Sequence, residues 1–353
     1  MAPAAEKVFD DGVLKPVLNC FELVKPLFED PLVEAEDLLV LSLTEGFHNF
    51  PLHAVQEDED DETGPLILSH PIVYVPSLSV LHKCYWSRHA PGRIHNSKEV
   101  DKLRSLVLGG IVSPDPVFQY GAKAVDQIGG ILKASKTTFV RDNATLGNLG
   151  THISTSDVLH IHLHTNYGDE KSKKGSVHGH LSQNDAEDVT FVNSPLDQAI
   201  VFNGPDSNNK LTAAQIIELQ LAKGAHFNLM ACASGRQGTH KVQSHRSEQQ
   251  AGVITDEVMG LVPAFLFSGA GSVTSTLWPI MDEHAAVFST YFFRAFLEAR
   301  AKVRSALTSG DEELSWIDLA EIHQKAVLEM RRIYKQPSAW AGFVLSGCWN
   351  FPV

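Results

Sequence analysis

Two groups of residues in this sequence have the types and spacing to do chemistry: the histidines at 160, 162 and 164, and the cysteine at 232. Alternate side chains of a strand share a face, so the run Leu159-His-Ile-His-Leu-His164 lines its imidazoles up on one side. Neutral imidazole is the commonest metal ligand. Residues i and i+4 of a strand lie about 13 Å apart, however, too far for all three rings to reach one zinc ion. The pair His160 and His162 leaves two readings. One is a metal-dependent hydrolase whose acidic ligands are unassigned; the other is a pair of structural histidines near a loop.

Cys232 lies in Asn228-Leu-Met-Ala-Cys-Ala-Ser-Gly235, where an apolar run gives way to small residues. A lone cysteine at a strand end reads as a small core residue or as a nucleophile. Ala231, Ala233, Ser234 and Gly235 leave room for a substrate backbone beside the sulfur. A nucleophilic thiol needs an acid–base partner, and His164 ends what reads as the adjacent strand.

These positions depend on the elements around them. Strands are expected at Asp37–Leu43, Ile72–Val75, Ser105–Val112, Thr137–Val140, Val158–His164, Ala199–Phe202, Ala225–Ala233, Ser272–Trp278 and Trp340–Gly347. Helices are expected at Val13–Glu29, Leu211–Lys223, Gly252–Ser268, Asp282–Ala301 and Trp316–Tyr334. Thr212 and Gln215 have the spacing of a capping box. Strands alternating with helices imply a mostly parallel sheet covered on both faces, with sites gathered at the carboxyl ends of the strands. His164 and Cys232 both fall at such ends. A polar stretch at 143–157 suggests a division into 1–145 and 146–353.

Four pieces, two of them new, make a pattern: Leu159-His-Ile-His-Leu-His164; Ala231-Cys232; Gly269-Ala-Gly-Ser-Val-Thr-Ser-Thr-Leu-Trp278-Pro-Ile-Met-Asp282; and Trp340-Ala-Gly-Phe-Val-Leu-Ser-Gly347. In this order they resemble the CHAT domain, a branch of the caspase-like cysteine peptidases related to separase. Asn49-Phe-Pro-Leu-His-Ala-Val and Val73-Tyr-Val-Pro-Ser-Leu-Ser-Val-Leu add to the likeness. The resemblance covers residues 35–351. It implies a caspase-like three-layer α/β/α sandwich after a degenerate α/β half that acts as scaffold.

The resemblance also implies roles. His164 and Cys232 match the catalytic pair of a cysteine endopeptidase. The backbone N–H groups of Cys232 and Thr165 would hold the oxyanion. The family has Gly directly after its histidine; Thr165 stands there instead, with Gly168 offering flexibility nearby. An acidic residue at the place of Asp282 lines the substrate pocket in the separase pattern, which implies Arg or Lys before the scissile bond. Asp282 also reads as the N-cap of the helix that follows it. The loops 166–193 and 236–250 carry Lys171, Lys173, Lys174, Arg236, Lys241 and Arg246, which makes them either plain insertions or a self-processing segment. Partners implied by the family are a protein substrate, such as a pore-forming death effector, and a separate sensor or activator in a cell-death or defence pathway. A catalytically inactive interaction module is the remaining alternative.

Composition bounds these readings. The 353 residues carry a formal net charge of −13, which argues against nucleic acid and anionic membrane as partners. Four cysteines stand far apart without a CxxC pair, as expected of a cytoplasmic protein free of zinc ribbons and disulfides. No cofactor motif is present, and the acidic run at 56–64 reads as a solvated loop.

Overall fold

The computed structural model describes residues 9–14, 25–26, 32–43, 45–56, 64–89, 108–112, 119–131, 137–140, 145–166, 195–202, 209–219, 221, 224–241, 254–309 and 316–352. Eight strands make the central sheet: β1 (Leu39–Ser42), β2 (Ile72–Val75), β3 (Leu108–Val112), β4 (Thr137–Val140), β5 (Val158–His162), β6 (His226–Leu229), β7 (Ser272–Thr276) and β8 (Phe343–Gly347). Their order is β1-β2-β8-β7-β6-β5-β3-β4. Every neighbouring pair is parallel except β7 and β8, which run antiparallel. The sheet is therefore mostly parallel, as the alternation of elements predicts, and strands from both ends of the chain share it.

Among the described residues, the helices longer than one turn that flank it are α1 (Leu78–His89), α2 (Gln119–Ile131), α3 (Leu146–Ile153), α4 (Ala213–Glu218), α5 (Leu261–Phe267), α6 (Asp282–Ser309) and α7 (Leu319–Ile333). Alternation along the strands separates two cores. Val158 and Leu345 pack with Phe288, Phe292, Phe293 and Phe296 of α6 and with α7. Leu159, Ile161, Phe227 and Leu229 pack with α5 and α3 on the other face. The four phenylalanines of α6 recur at i, i+4, i+5 and i+8, a single stripe laid on the sheet. Burial of each side chain stabilises the fold by about 1.5–3 kcal/mol. Phe288 stacks on Phe343 with ring centroids 4.1 Å apart. No described helix is long and apolar enough to cross a membrane.

Several expected elements differ. Residues 254–259 form a strand paired with Gly238–Lys241, so the helix expected at 252–268 begins only at Leu261, after Gly260 with φ 146°. Trp316–Asp318 pairs with Asn350–Pro352, and Asp318 then caps α7 by accepting from the N–H groups of Ala320 and Glu321. Lys210–Thr212 is a strand and α4 is short, but the Thr212–Gln215 capping box is present. Ala199–Val201 lies outside the main sheet, between His164–Asn166 and Lys210–Thr212 in a three-stranded sheet of its own. Asp10–Leu14 is a π-helical turn. Most of the helix expected at 13–29, the acidic run at 57–63, Gly168 and the basic positions 171–174 and 246 lie outside the described residues.

Arg88 of α1 carries no sequence signal, yet it is only 1% exposed. Its Nε donates to the Gly224 carbonyl at 3.1 Å, Nη1 to those of Cys348 and Asn350 at 2.6 and 3.2 Å, and Nη2 to Ser272 Oγ at 2.8 Å. It thus fastens α1 to β7, β8 and the approach to β6, at the sheet edge where β5 and β6 begin. Backbone packs tightly there: a Cβ on Gly224, at φ 74°, would lie 2.7 Å from Arg88 Cα. Arg88→Met leaves buried carbonyls without donors and is expected to cost about 3–5 kcal/mol of unfolding free energy. The midpoint of chemical denaturation measures it.

Candidate active site

The opposite edge of the sheet, where β5, β6 and β7 end, carries the candidate residues. The chain is buried continuously from Ser156 to Leu163, and His164 and Thr165 are the first residues after β5 to reach solvent. They enter the antiparallel pairing of His164–Asn166 with Ala199–Val201. On the neighbouring strand, Met230 extends the parallel pairing by donating its N–H to the Ile161 carbonyl at 2.7 Å. A tight turn over 231–235 follows. From Gly224 to Gly235 every residue is buried except Cys232. The Thr165 hydroxyl donates a short hydrogen bond to the Cys232 carbonyl, joining the two segments.

The turn is held at many points. Ala233 N donates to the Trp278 carbonyl at 3.1 Å and Gly235 N to that of Thr276 at 2.8 Å. Ser234 Oγ donates to the Leu229 carbonyl at 2.9 Å, and Thr276 Oγ1 to that of Ala231 at 2.9 Å. Ala233 has φ 49°, a left-handed conformation that costs a non-glycine residue about 1–2 kcal/mol. Strain of this kind persists where surrounding bonds over-determine it, as they do here. A Cβ on Gly235 would sit 2.5 Å from Ser275 Oγ, so a side chain there would require buried Ser275 to shift.

The Cys232 sulfur lies 3.9 Å from the Ile280 carbonyl. Burial pushes the thiol above its ordinary pKa; backbone hydrogen bonding at Ile280 opposes this and the Asp282 carboxylate adds to it. The free protein at neutral pH therefore holds Cys232 as the thiol.

Asp282 opens α6, but its carboxylate caps a different helix. Oδ2 accepts from Tyr120 N at 2.7 Å and Oδ1 from Gly121 N at 3.1 Å, both in the first turn of α2. His162 Nε2 is 2.8 Å from Oδ1. His160 and His162 do share a face, beneath α6, whereas His164 belongs to the hairpin beyond the strand. His160 is 1% exposed, its ring 5.9 Å from that of Phe293. Burial, and to a lesser degree His162, depresses its pKa to about 3. Among the described residues no group of three His, Cys, Asp or Glu is placed to hold a metal ion, so the metal reading of His160 and His162 finds no third ligand. The Asp282–His162 contact spans 120 positions of sequence and has no local signal.

The chain is 28% identical over 137 residues to human tetratricopeptide repeat protein 28, a match covering 39% of this chain and 4% of that protein. Its fold is similar to that of the Arg-specific cysteine proteinase gingipain R (RgpB), with a TM-score of 0.56, 9% identity, and coverage of 98% of this chain and 76% of that one. RgpB of Porphyromonas gingivalis, in the complex of its pro- and mature domains, gives 0.50 at 9% identity, covering 96% and 71%. Separase of Saccharomyces cerevisiae, in its securin complex, gives 0.47 at 15% identity, covering 89% of this chain and 16% of that chain. The fold is caspase-like, and the CHAT domain matches residues 20–348. The chain belongs to the CHAT-domain family.

Proposed function

We propose that this chain is a cysteine endopeptidase in which Cys232 is the nucleophile and His164 the general acid–base. The observation that carries the reading is the emergence of Cys232 alone from a buried run, hydrogen-bonded through its carbonyl to the residue after His164. Because burial favours the thiol, its proton moves to His164 as the sulfur attacks the scissile carbonyl. The C–N bond then breaks as His164 returns that proton to the leaving amine, giving an acyl-enzyme. Water, deprotonated by His164, then attacks the thioester; the C–S bond breaks as His164 returns the proton to the sulfur, releasing the carboxylic acid product and the Cys232 thiol. The N–H groups of Cys232 and Thr165 stabilise the oxyanion in both steps. A thiol held protonated at rest also favours a form that waits for an activator protein, in a cytoplasmic cell-death or defence pathway whose substrate is a second protein.

The finer part of this reading is cleavage after Arg or Lys, with Asp282 supplying the carboxylate. RgpB, a neighbour in fold, is Arg-specific. Fluorogenic peptides differing only before the scissile bond test it. The expected result is at least about tenfold higher kcat/KM for Arg or Lys than for Leu, the scale of one charge-assisted pair. Equal rates would remove the basic preference and leave the peptidase.

A further inference from the structure

Four residues converge beside the proposed chemistry, and of these only Asp282 has been given a part in it. Asp282 accepts hydrogen bonds from Tyr120 N, Gly121 N and His162 Nε2. A carboxylate offers about four acceptor sites, so three are already engaged. The partners belong to separate elements: Tyr120 and Gly121 to α2, His162 to the end of β5. A carboxylate at a helix N-terminus is further favoured by the helix dipole. Gly121 makes the approach possible, since a Cβ there would lie 2.8 Å from the ring of the buried His162, and one of the two would have to shift.

The bridge ends on both candidate catalytic segments. His162 precedes His164 by two residues. Asp282 follows Ile280 by two, and the Ile280 carbonyl is the group 3.9 Å from Cys232 Sγ. The same loop holds the Cys232 turn through the Trp278 carbonyl and Ala233 N. Moving Asp282 moves this loop, and moving His162 moves the end of β5.

We propose that Asp282 and His162, seated against Gly121 of α2, are positioning residues that hold the Ile280 loop over Cys232 and the strand end leading to His164. For catalysis this rests on the Cys232–His164 reading, and it gives Asp282 a task independent of the residue before the scissile bond.

The test uses the full chain with Gly121→Ala, His162→Phe and the conservative His162→Gln, which keeps a donor toward Asp282. Iodoacetamide alkylation, resolved by mass spectrometry at each cysteine, needs no turnover. Cys84 and Cys348, buried near Arg88 at the far edge of the sheet, report whether the fold is intact. The expected result is severalfold faster alkylation of Cys232 in Gly121→Ala and His162→Phe, with Cys84 and Cys348 as protected as in wild type and His162→Gln closer to wild type. On peptides with Arg or Leu before the bond, kcat should fall about tenfold to a hundredfold for both, with KM unchanged, as expected of a small misplacement. An unchanged Cys232 rate overturns the proposal. So does acceleration at all three cysteines together, which would make the bridge a matter of global stability. Loss of activity confined to the Arg peptide through KM would overturn it in favour of a purely substrate-binding Asp282. If wild type cleaves nothing while the Cys232 rates shift as expected, the positioning role stands and the peptidase reading alone falls.

Discussion

Cys232→Ala and His164→Ala are each expected to abolish peptide cleavage while leaving the thermal midpoint of unfolding nearly unchanged. Removing the nucleophile ends the acyl-enzyme route altogether. Removing the acid–base is worth about 10²–10⁴ in rate. The two losses should not multiply, since Cys232 and His164 act as one unit. Both residues lie at the rim of the core, partly exposed, so little packing is lost. Single- and double-variant kinetics on one peptide provide the check. A His164→Ala enzyme retaining most of its kcat would remove that residue from the mechanism.

The second large effect concerns acid stability. His53, His160 and His323 are buried, and desolvation lowers their pKa values from 6.5 to about 3; His226 is lowered well below 6.5 for the same reason. In the unfolded chain each imidazole protonates near 6.5, while in the fold each stays neutral far below that. The unfolded state thus binds more protons, and stability falls as pH drops below 6.5 toward the folded values near 3. Between pH 6.5 and 5 the four together should cost on the order of 5 kcal/mol or more, a large share of the stability of a typical domain. Urea denaturation at a series of pH values measures it. The expected curve is flat above pH 7.5 and steep below 6.5. His160→Phe should remove about one proton from the slope, because burial keeps its ring neutral in the fold and its nitrogens have no hydrogen-bond partner among the described residues to lose. A midpoint constant from pH 7 to 5 would contradict the account.

What the sequence disclosed follows from which signals are local. Ile72–Val75 reads as a continuous apolar run, as a strand buried on both faces should, and Val158–His162, His226–Leu229 and Phe343–Gly347 are legible from the apolar residues around their few polar ones. The capping box at Thr212 needs only four residues and was visible as well. Pairing with distant partners was not. Ile254–Met259 looks helical by spacing until Gly238–Lys241 claims it, and Trp316–Asp318 is a strand only because Asn350–Pro352 returns beside it. Cys232 and His164 are candidates for their places at strand ends and for the resemblance of their surroundings. Asp282 was found for its charge, but its hydrogen-bond partners come from α2 and β5. The stretch Trp278–Asp282 wraps the Cys232 turn, a relation between segments about fifty residues apart. Arg88 was missed because a lone arginine on a helix gives no hint that its guanidinium is buried among carbonyls.

The central claim is that Cys232, served by His164, cleaves peptide bonds. Its most direct measurement exposes wild type, Cys232→Ala and His164→Ala to an unbiased peptide library. Cleavage sites and any covalent adduct of a peptidyl electrophile are read by mass spectrometry. The account predicts discrete cleavage by wild type alone, with the adduct on Cys232 and a basic residue before the cut bond. No cleavage by wild type with any candidate activator protein, or cleavage that survives in Cys232→Ala, would contradict it.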